Sequence, residues 1–370
     1  TALDAVNATY IQATVSETTI ANLAAISTSN STRSSLNKFS FVISDTGATA
    51  AELNSVQAKT SVAVDASNIG GAATGVEASS SSDVTTLYTG TVPTGIADAK
   101  ISVNDTTINA STLNTINGYT TGNVTTTALT IEGAVADIET ALGNSGSGIV
   151  YSQTLAGANA IKATVTDTTV DAANLNDVNA QTDGVVTVSG SATSITGILS
   201  EVQTAMTANN AGTIAGIGAL NVTLDDPATA GTQSYAVSGI HTLIDTAGFT
   251  GKVTATVTES DVNTLKDGTT GLTGTGHSLT VTVTDPTLTA AELNTIDAVT
   301  VLPVVLTPSK TGVAAFDGAQ NDGATADRDD SKTFTEIAAT GGTGSGATFT
   351  VATAADGAAT ITLLKPGTGY

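Results

Sequence analysis

Along Leu279-Thr-Val-Thr-Val-Thr284 apolar and polar residues alternate, the period of a strand with one buried face. The β-branched residues favour that state. Asp285-Pro286 should stop the strand, since Pro lacks a ladder donor and Asp favours turns. Thr289-Ala-Ala-Glu292 reads as a capping box opening a short helix, and Thr49-Ala-Ala-Glu52 repeats it. Asn109 and Asp171 are N-cap residues at the equivalent place. The helix pairs an apolar residue with one three positions on: Leu53 with Val56, Leu113 with Ile116, Leu175 with Val178, Leu293 with Ile296. A helix of about two turns does not hold alone, so it must pack on a neighbour. Further alternation follows at Ser61–Val64 and Gly184–Val188. Longer helices are expected where Ile131, Val135, Ile138 and Leu142 fall at helical spacing, and again at Ile195, Ile198, Leu199, Val202 and Met206. Val237, Ile240 and Ile244 suggest a third.

This plan recurs. A β-branched residue, an Asp two positions later and a Leu-Asn pair eight further on occur at Asp45 with Leu53-Asn54, Asp105 with Leu113-Asn114, Asp167 with Leu175-Asn176 and Asp285 with Leu293-Asn294. Shorter versions at Val15–Leu23 and Val257–Leu265 use Glu. Near-copies of roughly 20 to 35 residues decide architecture before local propensity does. A doubly wound domain also alternates strand and helix, but it does not require repeated sequence. The repeats point instead to a β-rich solenoid: parallel strands, short helices on the returning side, and a right-handed path. About a dozen coils at ~4.8 Å each give a rod ~55 Å long. The solenoid is expected over 1–310 and an acidic Gly/Ala-rich linker over 311–332. Residues 333–370 should form a small C-terminal β element, the start of a further module, with Asp356-Gly357 as its hairpin turn. Ala2–Tyr10 and Val301–Leu306 lack a polar cap, which favours self-association.

Composition narrows the function. Apolar residues make up 40% but aromatics only 3%, with no Trp, so the core is built from Ala, Val, Ile and Leu. Eleven basic against 33 acidic residues give a charge of −22, which argues against nucleic acid. No Cys means no disulfide and no thiolate metal site. No apolar run is long enough to span a membrane. The chain begins at Thr1 without a visible signal peptide and reads as a processed or partly observed piece.

Candidate chemistry is thin. His241, four before Asp245, and His277, in Gly274-Thr-Gly-His277, lack a nucleophile elbow and read as surface residues. Gly341–Gly346 lacks the Lys-Ser/Thr of a phosphate loop. Asp317, Asp322, Asp327, Asp329 and Asp330 put five carboxylates within fourteen residues, a set that calcium would suit. A solvated acidic linker is the plainer reading, because neither standard calcium-loop spacing is present. Asp225-Asp226 is a weaker cation candidate. The repeated Asp45, Asp105, Asp167 and Asp285 are expected to cap their own turns, with cation stacking as the alternative. Asn54, Asn114, Asn176 and Asn294 are expected to bond between coils. Outward Thr280, Thr282 and Thr284 suit a soluble sheet, a glycan surface or, less well, ice.

The Val-x-Val-x-Asp-Thr … Ala-Ala-x-Leu-Asn-x-Ile-x-Ala pattern, as in Val165–Ala180 and Val283–Ala298, resembles the strand-repeat regions of large bacterial surface proteins. These are of S-layer and adhesin type, notably in marine cyanobacteria. Gly342–Tyr370 resembles short β modules in structural proteins of phages infecting such hosts. Both resemblances imply an extended, extracellular, non-catalytic role on a cell or virion surface. The expected function is a self-assembling structural subunit of a surface layer, sheath or filament. The alternatives are a phage tail-fibre or virion decoration protein, and an adhesin for cell-surface glycans.

Overall fold

The structure is a computed structural model describing residues 12–26, 37–71, 74–144, 148–152, 160–225, 233–285, 288–307, 333–338, 347–353 and 359–365. These residues form helices α1 (Ile20–Ala24), α2 (Ala50–Gln57), α3 (Ser67–Gly70), α4 (Ser81–Thr89), α5 (Ala110–Asn117) and α6 (Val135–Gly143). Then come α7 (Ala172–Gln181), α8 (Leu199–Ala211), α9 (Val237–Ile244), α10 (Val262–Leu265) and α11 (Ala290–Asp297). Short strands lie between them. The class is mixed α/β, with several parallel-strand sheets and no closed barrel among the described residues.

The chain divides into two compact units. The first comprises Thr1–Asp167, Asn174–Ser191 and Thr213–Ala215; the second comprises Thr168–Ala173, Ala192–Gly212 and Gly216–Tyr370. In the first, one sheet runs Gly47–Thr49, Gly75–Ser79, Ile101–Val103, Val124–Thr126, Ile149–Tyr151. Another runs Thr107–Asn109, Thr130–Gly133, Lys162–Val165, Val186–Val188, Ile214–Ala215. Every neighbouring pair is parallel, and sheet order is chain order: Ile101 faces Val124, and Val124 faces Ile149. Parallel neighbours need a crossover, and the short helices supply it. In this unit α2, α4, α5 and α6 pack successively side by side.

In the second unit, Thr169–Asp171, Ser194–Gly197, Asn221–Leu224 and Val253–Val257 are parallel in the same way, and Ser278–Thr280 extends the sheet. A last sheet joins Thr282–Val283 in parallel to Val305–Leu306, which then pairs antiparallel with Ala359–Lys365. Thr348–Thr353 and Thr333–Ala338 complete it. The free strand edge expected at Val301–Leu306 is therefore taken at Val305–Leu306, although Val301 remains 66% exposed. The strands on either side of Asp356-Gly357 form the expected antiparallel pair, while that dipeptide and Ala2–Tyr10 lie outside the described residues.

The core is aliphatic. Leu53, Val56, Leu113, Ile116, Leu175, Val178 and Ile296 are all buried beneath their helices, each contributing about 1.5–3 kcal/mol. Leu293 is only half-buried: α11 ends the helix series, so no later helix among the described residues covers its flank. The capping boxes at Thr49/Glu52 and Thr289/Glu292 form, and Asn109 accepts from the Ser111 N–H.

Four local expectations change. A second three-residue strand stands between the repeated Asp and the helix, at Gly47–Thr49, Thr107–Asn109 and Thr169–Asp171. Ile131 and Ile195 belong to strands, not helices, because Gly133 (φ +142°) and Gly197 (φ +153°) turn the chain before each helix starts. Ser61–Val64 is not a strand: the Thr60 hydroxyl accepts from Val62 N–H, and the Gln57 amide bonds Val62 O and Val64 N–H, replacing ladder partners. Leu279–Thr284 splits, Ser278–Thr280 and Thr282–Val283 pairing with different strands.

Candidate functional site

The repeated polar residues reach from one repeat to the backbone of a neighbouring repeat. Each helix start leaves N–H groups without helical partners. At α1, α4, α6 and α10 the first of these is taken by a repeated Asp. The Ile20 N–H donates to Asp45 Oδ2 (2.8 Å), Ser81 to Asp105 (2.7 Å), Val135 to Asp167 (2.7 Å) and Val262 to Asp285 (2.7 Å). At α9, Glu259 does the same for Val237 (2.7 Å), and at α2 the Ser79 hydroxyl serves Ala50 (2.8 Å). The carboxylate lies between 22 and 32 residues beyond the N–H it caps. This corrects the expectation of local capping: the Asp stabilises a helix earlier in the chain, not the turn of its own repeat. The helix dipole favours negative charge there, and one such cap contributes about 0.5–2 kcal/mol.

Amides form a second set. Asn54 Nδ2 donates to Asp83 O in α4 and Asn114 Nδ2 to Asp137 O in α6, each at 2.9 Å. They bind the backbone of a later helix rather than one another. Gln203 reaches Gly239 O in α9 in the same way (3.2 Å).

A third set is a hydroxyl that follows each repeat helix, buried at Thr60, Thr182 and Thr300 and half-buried at Thr120. Thr60 donates to Phe39 O (2.8 Å), Thr120 to Ala99 O (2.6 Å), Thr182 to Ile161 O and Thr300 to Leu279 O (2.8 Å). The same oxygens accept from the N–H two residues on, at Val62, Gly122, Gly184 and Leu302. Gly184 lies so close to the backbone at Ile161 that a Cβ would stand 2.2 Å from Ile161 O. The sequence signal for this set is the Thr at one fixed distance after every repeated Leu.

The remaining candidates resolve as follows. His241 is half-buried, with Nδ1 2.7 Å from Gly271 O and Nε2 3.2 Å from Asp245. His277 is not a surface residue: it is 3% exposed and its Nδ1 accepts the Val253 N–H at 3.0 Å. Burial and then Lys252 hold its pKa below the ordinary 6.5. Glu292, which accepts from Lys266 and from Thr289 of its own cap, is held down at about 2. Tyr88 and Tyr119 stack with centroids 5.1 Å apart, and Tyr88 donates to Ile96 O. Burial first and Asp98 second push the Tyr88 phenol up to about 12. Across one sheet Thr196, Thr223, Thr254 and Ser278 form a row. Thr280 and Thr284 are exposed and Thr282 half-buried.

Asp317, Asp322, Asp327, Asp329 and Asp330 lie outside the described residues, as does Asp226. Among the described residues no cluster of three or more His, Asp or Glu is placed to hold a metal ion, and no helix is long and apolar enough to cross a membrane. Comparison with protein-family models, curated proteins and solved structures finds no match for this chain.

Proposed function

We propose that the chain is a non-catalytic structural subunit of an extracellular assembly, a surface layer, sheath or filament. In this reading its coils follow one right-handed solenoid of parallel strands, with the short helices on the returning side. The array acts as a stiff spacer and packing surface and associates with further copies of itself. One observation carries the reading: the repeated Asp, Asn and Thr side chains are spent on the backbone of adjacent coils. Polar groups so committed rigidify a repeat array, whose stability is a sum over neighbouring contacts. A second reading, a virion fibre or decoration protein, draws on the antiparallel strands Thr333–Ala338, Thr348–Thr353 and Ala359–Lys365 that follow the repeats. Concentrating the purified chain and imaging it by negative stain tests the first reading. Ordered sheets or filaments support it; dispersed monomers at every concentration and salt condition count against it.

A further inference from the structure

Both histidines of the chain act on one glycine-rich segment, Asp267–Gly276. His241 meets its middle, at Gly271 O, and His277 ends it. The His277 backbone is tied to the following segment, its N–H donating to Val299 O and its carbonyl accepting from Val301 N–H. Its ring reaches the other way, to Val253, the first residue of the strand Val253–Val257. The imidazole thus stands where a ladder carbonyl would. Gly274 (φ +75°) lies against the ring, and a Cβ there would come within 2.5 Å of Nε2.

An Nδ1 that accepts a hydrogen bond carries no proton, so this ring is neutral with its proton on Nε2. Protonating Nδ1 sets one N–H against another in a site with little water to screen them. Lys252 adds a second positive charge nearby, its ammonium donating to Thr275 O. Elements packed around the segment carry four other titratable groups. His241 and Asp245 bond each other, and the Asp267 carboxylate is taken by Thr269 and Thr270. Asp297 closes α11 and is pushed toward its neutral form by burial. None of the four is hydrogen-bonded to the His277 ring among the described contacts. His241 differs from His277 in its partners, since both its nitrogens face acceptors, Gly271 O and the Asp245 carboxylate.

We propose that His277 is an acid-sensitive latch: neutral, it holds the Asp267–Gly276 segment to the strand Val253–Val257, and its protonation releases that segment. The test is hydrogen exchange resolved to the Val253 amide in the whole chain, corrected for intrinsic rates, between pH 7.5 and 5. A single-proton latch lowers protection about tenfold per pH unit once the pH drops below the ordinary imidazole pKa. His277→Asn keeps an acceptor that does not titrate, and its protection should be flat over the same range. His241→Gln should retain the wild-type fall. Unchanged wild-type protection, or a fall that survives in His277→Asn, overturns the proposal. Nitrogen NMR of wild-type His277 provides an independent readout should the variant not fold. An unprotonated Nδ1 that titrates below 6.5 is expected, and a ring protonated on Nδ1 at neutral pH refutes the latch.

Discussion

Thr182→Val isolates the hydroxyl that recurs after each repeat helix, at a position where it is buried. The substitution keeps the shape and removes two bonds, the donation to Ile161 O and the acceptance from Gly184 N–H. Thr182 is 7% exposed and Ile161 is 1% exposed, so water does not readily replace the lost partners. Each bond is worth about 0.5–1.5 kcal/mol net, and a buried group left unsatisfied costs about 1–3 kcal/mol. The expected loss is therefore about 2–3 kcal/mol. Repeat arrays need not unfold in one step, so the effect is best read locally. Amide exchange over 160–188 should quicken by about 30- to 150-fold, at 1.4 kcal/mol per decade. Thr187→Val, on the exposed face of Val186–Val188, should change stability by no more than about 0.5 kcal/mol. Equal effects of the two substitutions would refute the assignment of a structural role to the buried hydroxyl.

Leu113→Ala should cost about 2–5 kcal/mol and loosen mainly α5 and its neighbours. Leu293→Ala, at the half-buried copy of the same position, should cost clearly less; comparing urea midpoints and local exchange checks both. Because the Glu292 pKa is depressed from 4.5 to about 2, its contribution to the α11 start is present above pH 4.5. It is lost as pH falls toward 2; Glu292→Gln should flatten that acid limb in a helix-content titration. For Asp317–Asp330, the solvated-linker reading expects equal proteolysis between Gly312 and Lys332 with calcium or chelator. Protection restored by millimolar calcium, but not by sodium at equal ionic strength, would assign a metal site instead.

The order of strand, helix and strand was legible because period and caps are local signals: the Thr49/Glu52 box and the Leu53/Val56 pair lie within one turn of each other. The strands Thr107–Asn109 and Thr169–Asp171 were not, since three residues are too few for alternation to show. Helical spacing misassigned Ile131 and Ile195 because a buried strand residue and a buried helix residue look alike until the intervening glycine is given its backbone angle. The partner of Asp105 escaped local reading for a different reason. Its acceptor role depends on a contact 24 residues away in sequence, with the Ser81 N–H. His277 escaped because Gly-Thr-Gly-His reads as open loop, whereas the ring turns inward to a strand start.

The claim that repeat carboxylates join one repeat to the segment before it is tested most directly by Asp105→Ala with exchange resolved along α4 and α5. Asp105 caps Ser81 at the start of α4, although in sequence it lies just before α5. Loss of a cap worth about 1 kcal/mol should speed exchange at Ser81–Val84 several-fold and leave Ser111–Leu113 unchanged. Faster exchange at the start of α5, with α4 unaffected, would show that the Asp serves its own repeat and would contradict the account.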